Sequence, residues 1–243
     1  MKIVAVKPNT LLAERSILVV DDERFTRALV ARLLGYLGAK AVFQAENGAD
    51  ALWMLEGGRM AFDAVVADLE MPRVNGLEML KEIRSGANGC RRDLPVVMLT
   101  GHSDIELVSR AMALDINGFI VKPVSQGALA SRLARVFGDD VRTIRAESEY
   151  AMVDARFGAD EPAPARGGLP VRPPPSPPPS PDGGMYRIAL TDVAPGGVLA
   201  LDVTVPSGLV LVSEGTVLTS RLIQRLKGLG DLNIVIEDVW LRV

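Results

Sequence analysis

Between residues 14 and 138, short apolar runs alternate with stretches whose apolar positions recur at helical spacing. Ser16–Val20 (SILVV) reads as a buried strand, and Phe25, Ala28, Leu29, Leu33, Tyr36 and Leu37 then fall on one helical face. Ala41–Ala45 predicts a second strand and Gly48–Leu55 a helix. Residues 64–67 (AVVA) predict a third strand, followed by a helix over 77–84 with Leu77, Leu80 and Ile83 on its stripe. Residues 95–99 (PVVML) give a fourth strand and 104–114 a helix. Gly118–Val121 (GFIV) is a fifth strand, and a last helix carries Leu129, Leu133, Val136 and Phe137. Five strands alternating with five helices predict an α/β unit: a doubly wound five-stranded parallel sheet with right-handed crossovers and helices on both faces. Ligands of such open sheets bind beyond the carboxyl ends of the strands.

The pattern then changes. Residues 139–157 form a joining segment in which Val141, Ile144, Ser148, Ala151 and Ala155 trace a weak helical stripe. Such a connecting helix either extends the preceding helix and pairs with its copy in a homodimer, or is a solvated connector. From 158 to 184 prolines dominate and large apolar residues nearly vanish. That composition predicts a disordered linker, with a stiff polyproline rod over 173–181. Order returns in the tail, residues 185–243. Strands are expected at 187–190, 198–205, 209–212, 233–237 and 239–243, with turns at 195–197 and 206–208. A helix over 218–229 carries Leu222, Ile223, Leu226 and Leu229 on one face, capped by Thr219 or Ser220. This is a small β-rich output or interaction domain near the size at which a single core is marginal, so it is expected to lean on a partner or a second copy. Residues 1–13 are an N-terminal arm or an added strand.

Composition narrows the chemistry. Hydrophobic residues are 48% of the 243 and charged residues 23%, which suits a globular chain. With 27 basic and 30 acidic side chains, net charge −3, there is no basic field for nucleic acid. The region 182–243 itself holds five basic and seven acidic side chains. A single cysteine, Cys90, excludes an internal disulfide, and a single histidine, His102, excludes multi-histidine metal sites. Lys7 and Pro8 cut short the first apolar run, and no window reaches the length of a membrane span, so a cytoplasmic protein without membrane contact is expected.

The strand ends carry the chemistry. The first strand ends in Asp21-Asp22, the third in Asp68, the fourth in Thr100 and the fifth in Lys122-Pro123. On the expected sheet these meet at one edge. Carboxylates crowded there repel one another, and burial raises the cost. A hard divalent cation with oxygen ligands relieves the repulsion, and Mg²⁺ suits it. A hydroxyl and an ammonium beside the carboxylates can bind the oxygens of a phosphoryl group.

With Met71-Pro72 and Gly76 in DLEMPRVNG, Gly101 after the threonine, and intervals of 32 residues from Asp68 to Thr100 and 22 from Thr100 to Lys122, residues 14–138 closely resemble the receiver domain of two-component response regulators. The resemblance implies that Asp68 is the phosphoacceptor, taking a phosphoryl group from a sensor histidine kinase or a phosphotransfer protein. It implies Mg²⁺ held by Asp22, Asp68 and the backbone carbonyl of Glu70, with Asp21 acting largely through water. Lys122 would pair with the acyl phosphate, across a cis Lys122–Pro123 peptide, and Thr100 would move to bond the phosphate. Phe119 would then turn inward and alter partner binding on the surface of the fourth helix, fifth strand and fifth helix. The Glu70 carboxylate, two residues after Asp68, could tune the phosphate lifetime; His102, two residues after Thr100, could do the same but reads first as a solvated loop residue. Beyond this phosphoacceptor chemistry no enzyme is expected.

The tail loosely resembles a segment found beside HD-GYP phosphohydrolase domains, but the metal-binding histidines of such a hydrolase are missing. The function implied is a response regulator whose tail binds an output partner. The alternatives are a transcriptional or nucleic-acid-binding regulator, or an accessory subunit of a cyclic-dinucleotide hydrolase.

Overall fold

The computed structural model describes residues 11–58, 60–87, 89–101, 105–138, 146–156, 184–204, 210–232 and 234–242. The first ten residues, His102, Val141 and Ile144, the proline-rich stretch and the turn at 206–208 lie outside them.

The N-terminal unit runs β1 (Ser16–Val20), α1 (Arg24–Tyr36), β2 (Ala41–Ala45), α2 (Gly48–Leu55), β3 (Ala64–Asp68), α3 (Gly76–Ser85), β4 (Val96–Thr100), α4 (Ile105–Ala113), β5 (Gly118–Val121) and α5 (Gln126–Gly138). The five strands form one parallel sheet in the order β2-β1-β3-β4-β5. Alternate residues of one strand feed opposite layers. Ile17 and Val19 of β1, Val66, Val97 and Leu99 pack with Val30 and Leu34 of α1 and Leu129 and Leu133 of α5. Leu18, Val20, Val65 and Met98 pack with α2, α3 and α4 through Ala51, Leu55, Leu80, Ile83 and Val108. Because both faces are covered, the central strands read as unbroken apolar runs.

Helix α1 is rotated relative to the expected stripe. Phe25 is 74% exposed and Tyr36 57%, while Arg27, Val30, Leu34 and Leu37 are buried. Arg27 explains the shift. Its guanidinium donates to the carbonyl of Asp21 (2.7 Å) and pairs with Glu46 (3.0 Å), so a charged residue takes the first buried position of the helix.

A second buried arginine fixes the opposite end of the sheet. Arg84 of α3 is 0% exposed and donates to the carbonyls of Arg92 (2.7 Å), Leu94 (2.8 Å) and Asp115 (3.1 Å) and to Asn117 Oδ1 (2.9 Å). Burial, then the neighbouring Arg225 charge, lowers its guanidinium to about 10, so it remains charged at neutral pH.

The described part of the joining segment, residues 146–156, docks on the N-terminal unit. It contains a five-residue helix, α6 (Glu147–Ala151), that packs back against α3. Lys81 Nζ donates to the carbonyls of Ala151 and Val153, and Asn75 Nδ2 to that of Ala155. Tyr150 is fully buried, whereas Ser148 and Ala151 of the expected stripe face solvent.

The tail comprises β6 (Met185–Ala189), β7 (Val203–Thr204), β8 (Val210–Val212), α7 (Ser220–Gly228) and β9 (Asp238–Arg242). β6 pairs antiparallel with β9, and β7 with β8. Thr219 caps α7, its hydroxyl oxygen accepting from the Leu222 amide. The expected strand at 198–205 shrinks to β7 plus bridges at Val198 and Leu199, and residues 234–237 carry no strand. Their backbone is engaged otherwise: the Ile234 amide donates to Leu229 and the Glu237 carbonyl accepts from Leu190. Tail residues Leu190, Ile223, Leu226, Leu229 and Leu241 join the same apolar cluster as Met98, Met112 and Phe119 of the N-terminal unit. The partner the tail leans on is therefore the rest of its own chain. Among the described residues no helix is long and apolar enough to cross a membrane.

Candidate functional site

Parallel pairing sets the carboxyl ends of β1, β3, β4 and β5 side by side. The registers place Val20 beside Ala67, Asp68 beside Leu99 and Thr100 beside Val121. Asp21 and Asp22 follow β1 directly, Asp68 closes β3, Thr100 closes β4 and Lys122 follows β5. The amide of Lys122 donates to the Thr100 carbonyl at 2.8 Å, which fixes the ammonium's starting point. The Lys122–Pro123 peptide is cis.

Sharp turns hold these ends open. The Asp21 carboxylate accepts from the Glu23 amide at 2.9 Å, and Arg27 grips the Asp21 carbonyl from below. Asp68 Oδ1 accepts from the Leu69 amide at 2.8 Å. Asn75 and Glu78 close a reciprocal capping box at the start of α3. Gly76 sits so close to the end of β3 that a Cβ would lie 2.4 Å from the Asp68 carbonyl oxygen. Gly76→Ala is expected to push the Asp68 turn outward and to destabilise the fold by about 1–3 kcal/mol, read by urea denaturation.

Lys122 Nζ lies 2.7 Å from Asp68 Oδ2 and 3.1 Å from Asp21 Oδ2. Asp21 is fully buried, Asp68 and Thr100 nearly so, and Asp22 is exposed. One carboxylate oxygen from each of Asp21, Asp22 and Asp68 falls within 4.8 Å of the others. Burial raises the Asp21 carboxyl above the usual range, and the nearby Asp68 charge adds to this. Burial likewise raises Asp68, against the opposing pull of Lys122. For Lys122, burial favours the neutral amine, but the hydrogen bond to Asp68 and the charges of Asp68 and Asp21 outweigh it and hold the ammonium above its ordinary value.

One ammonium thus faces three carboxylates. Asp21 Oδ2, though near Lys122, receives no well-aligned hydrogen bond. Hard oxygen donors in net excess, one of them buried and incompletely satisfied, fit a hard divalent cation such as Mg²⁺. Glu70 is exposed on the turn after β3. Phe119, on β5, is 3% exposed.

The structure brings together Asp21, Asp22, Asp68 and Lys122, with Thr100 on the adjoining strand end. Two residues that support the site escape sequence reading: Arg27, which anchors the acidic turn, and Asn75, which starts α3. The signal for Arg27 was a lone charge among α1 residues spaced for burial. Cys90 is buried in the core cluster, and burial keeps its thiol above the usual range, as suits a packing role.

Comparison with known proteins covers the N-terminal unit. The family profile of the response regulator receiver domain matches residues 17–134. The chemotaxis protein CheY-3 of Vibrio cholerae is 38% identical over 121 residues, which are 50% of this chain and 90% of that protein. The chemotaxis protein CheY of Pseudomonas aeruginosa is 33% identical over 121 residues, 50% of this chain and 94% of its own. Among solved structures, chemotaxis protein CheY4 of Vibrio cholerae matches at 30% identity and TM-score 0.46, covering 50% of this chain and 98% of that one. A response regulator receiver domain protein from Clostridium thermocellum matches at 27% identity and TM-score 0.46, covering 51% and 94%. A relative this similar, matched over nine-tenths of its length, together with the five-stranded parallel sheet, establishes that the chain belongs to the response regulator receiver family.

Proposed function

We propose that Asp68 accepts a phosphoryl group from the phosphohistidine of a sensor kinase or phosphotransfer protein, and that the chain is the response regulator of a two-component relay. The observation that carries this reading is the convergence of Asp68, Lys122 and two further aspartates on one strand-end pocket. Asp68 Oδ attacks phosphorus. The new P–O bond forms as the P–N bond breaks, and the electron pair leaves with the imidazole nitrogen. Little covalent help is needed, since such transfers depend mainly on positioning and charge neutralisation. Lys122, already bonded to Asp68, meets the negative charge of the incoming oxygens. The Thr100 hydroxyl donates to a phosphoryl oxygen. Asp22, Asp68 and the Glu70 carbonyl would hold Mg²⁺, with Asp21 acting largely through water, and the ion would neutralise charge on the transferring group. Return to the resting state is attack of water on phosphorus, which releases inorganic phosphate and restores the carboxylate. The chain's own chemistry is confined to these two steps.

Signalling on this reading follows from the charge added at Asp68. Thr100 moves toward the phosphate, Phe119 repacks, and the α4–β5–α5 surface shifts between two existing arrangements.

The test is labelling of the full chain with acetyl phosphate. With Mg²⁺ the protein should acquire a phosphate that hydroxylamine removes, as befits an acyl phosphate, and chelation should suppress labelling strongly. Label that resists hydroxylamine, or that forms equally well after chelation, would overturn the assignment. Mg²⁺ alone should stabilise the fold: at ten times its dissociation constant, by about 1.4 kcal/mol. Asp22→Asn should diminish that increment, read by thermal melts with and without the ion.

A further inference from the structure

The loop that follows the phosphoacceptor is fastened from outside by a segment late in the chain. Its near end is held by the sheet, where the Leu69 amide donates to the Leu99 carbonyl at 3.1 Å. Gly76, opening α3, donates its amide to the Leu69 carbonyl at 2.9 Å and lies against the Asp68 carbonyl. The Val74 carbonyl accepts from the Gly48 amide at the start of α2, at 3.0 Å. Asn75 is 4% exposed and reaches the joining segment, its Nδ2 donating to the Ala155 carbonyl at 3.2 Å.

The residue type fits this double duty. Asn75 Oδ1 accepts from the Glu78 amide at 2.9 Å as the cap of α3. Aspartate or serine would serve equally for the cap alone. A carboxylate has no hydrogen to give, whereas the amide caps with its oxygen and donates with its nitrogen.

The joining segment is gripped along its length. Lys81 Nζ of α3 donates to the carbonyls of Ala151 (2.9 Å) and Val153 (2.7 Å), and Arg110 Nη1 of α4 to that of Arg156 (3.1 Å). At the far end the buried Tyr150 hydroxyl donates to Asp115 Oδ2 at 2.7 Å, in the turn between α4 and β5. Residues 150–156 are thus a strap laid across α3 and α4, held mainly by its backbone carbonyls. These two helices are the ones that follow Asp68 and Thr100.

We propose that this strap positions the phosphoacceptor loop for Mg²⁺: Asn75, tied to the Ala155 carbonyl, fixes the stretch from Asp68 to Gly76 so that the Asp68 carboxylate and the Glu70 carbonyl stand ready for the ion. This rests on the phosphoacceptor reading above and adds Asn75 to it as a positioning residue. Ligands borne on a loop must be ordered before they bind, and the entropy of ordering them is subtracted from the affinity. The strap supplies that order in advance. Asn75 acts as the outer partners of metal ligands do, through the groups that touch the ion. The relation is reciprocal: whatever the strap adds to Mg²⁺ affinity, Mg²⁺ adds to docking of the strap.

The test uses the full chain, with Mg²⁺ binding read by calorimetry and docking of the strap by hydrogen exchange. Asn75→Ser keeps a capping oxygen and loses the amide donor. Lys81→Met removes the two central bonds of the strap from the second turn of α3. Each should speed exchange over residues 150–156 and weaken Mg²⁺ binding about tenfold, the size expected when an outer partner is lost. Lys81→Arg keeps a donor and should restore both readings. In the wild type, Mg²⁺ itself should slow exchange in the strap. A freed strap with wild-type Mg²⁺ affinity would overturn the proposal and leave the phosphoacceptor reading standing. So would a strap whose exchange neither substitution changes. Weakened binding in Asn75→Ser alone would assign the effect to the helix cap and remove the strap from it. A wild type that binds no Mg²⁺ and takes up no label from acetyl phosphate would overturn the phosphoacceptor reading itself, and this proposal with it.

Discussion

Asp68→Asn takes up no label from acetyl phosphate: the signal falls to background while the fold remains. The change exchanges one carboxylate oxygen for an amide nitrogen and keeps the shape. The amide oxygen can still accept the Leu69 amide hydrogen that Oδ1 accepts now, at 2.8 Å. What is lost is the nucleophile, since a neutral amide does not attack phosphorus as a carboxylate does. Circular dichroism of the variant should match the wild type, so that lost labelling reports chemistry and not unfolding. Label retained at wild-type level would move the acceptor to another side chain. Asp21 and Asp22 would be the first to examine, because both sit within the same cluster.

Arg84→Met should cause the largest loss of stability of any single change proposed. The guanidinium satisfies four acceptors: three carbonyls and the Asn117 side chain. Asn117 in turn accepts from the Val96 amide, so the loss spreads to the entry of β4. Methionine fills much of the volume but donates nothing, and it leaves buried acceptors unsatisfied at about 1–3 kcal/mol each. It also deprives Asp115 of a nearby positive charge. Partial relaxation offsets some of this, and a net cost of about 3–5 kcal/mol is expected. For a chain of this size that corresponds to a melting point lower by roughly 10 °C, measured by thermal denaturation. A shift under about 2 °C would show that water or neighbouring donors replace the guanidinium.

The sheet was legible because its strands are short apolar runs with both faces covered. SILVV, AVVA and GFIV admit few other readings when turns and amphipathic stretches separate them. The pocket was legible for a related reason: in a parallel sheet, distant strand ends converge by topology alone, so Asp21, Asp68 and Lys122 are placed once the strands are. The α1 stripe misled because its first inward residue is Arg27. A buried cation counts as polar in any pattern, yet here it is tied to the Asp21 carbonyl and to Glu46. Tyr150 and Asp115 were invisible for the opposite reason. Each is one polar group in an unremarkable setting, and their meaning lies in a hydrogen bond across 35 positions of the chain. In the tail the stripe of α7 was readable, and Ile223, Leu226 and Leu229 are indeed buried. What they bury against was not, because part of that core is supplied by the N-terminal unit.

The tail is bound to the molecule it covers by an unbroken peptide chain. Its docking is thus a first-order event, and its strength is unaffected by dilution. A tether sets a local concentration on the order of a millimolar, so even contacts that would be feeble between separate molecules keep the surface occupied. An outside competitor would have to exceed that level, or bind far more tightly, to displace the tail. Severing the backbone between the joining segment and the tail would remove this advantage at a stroke.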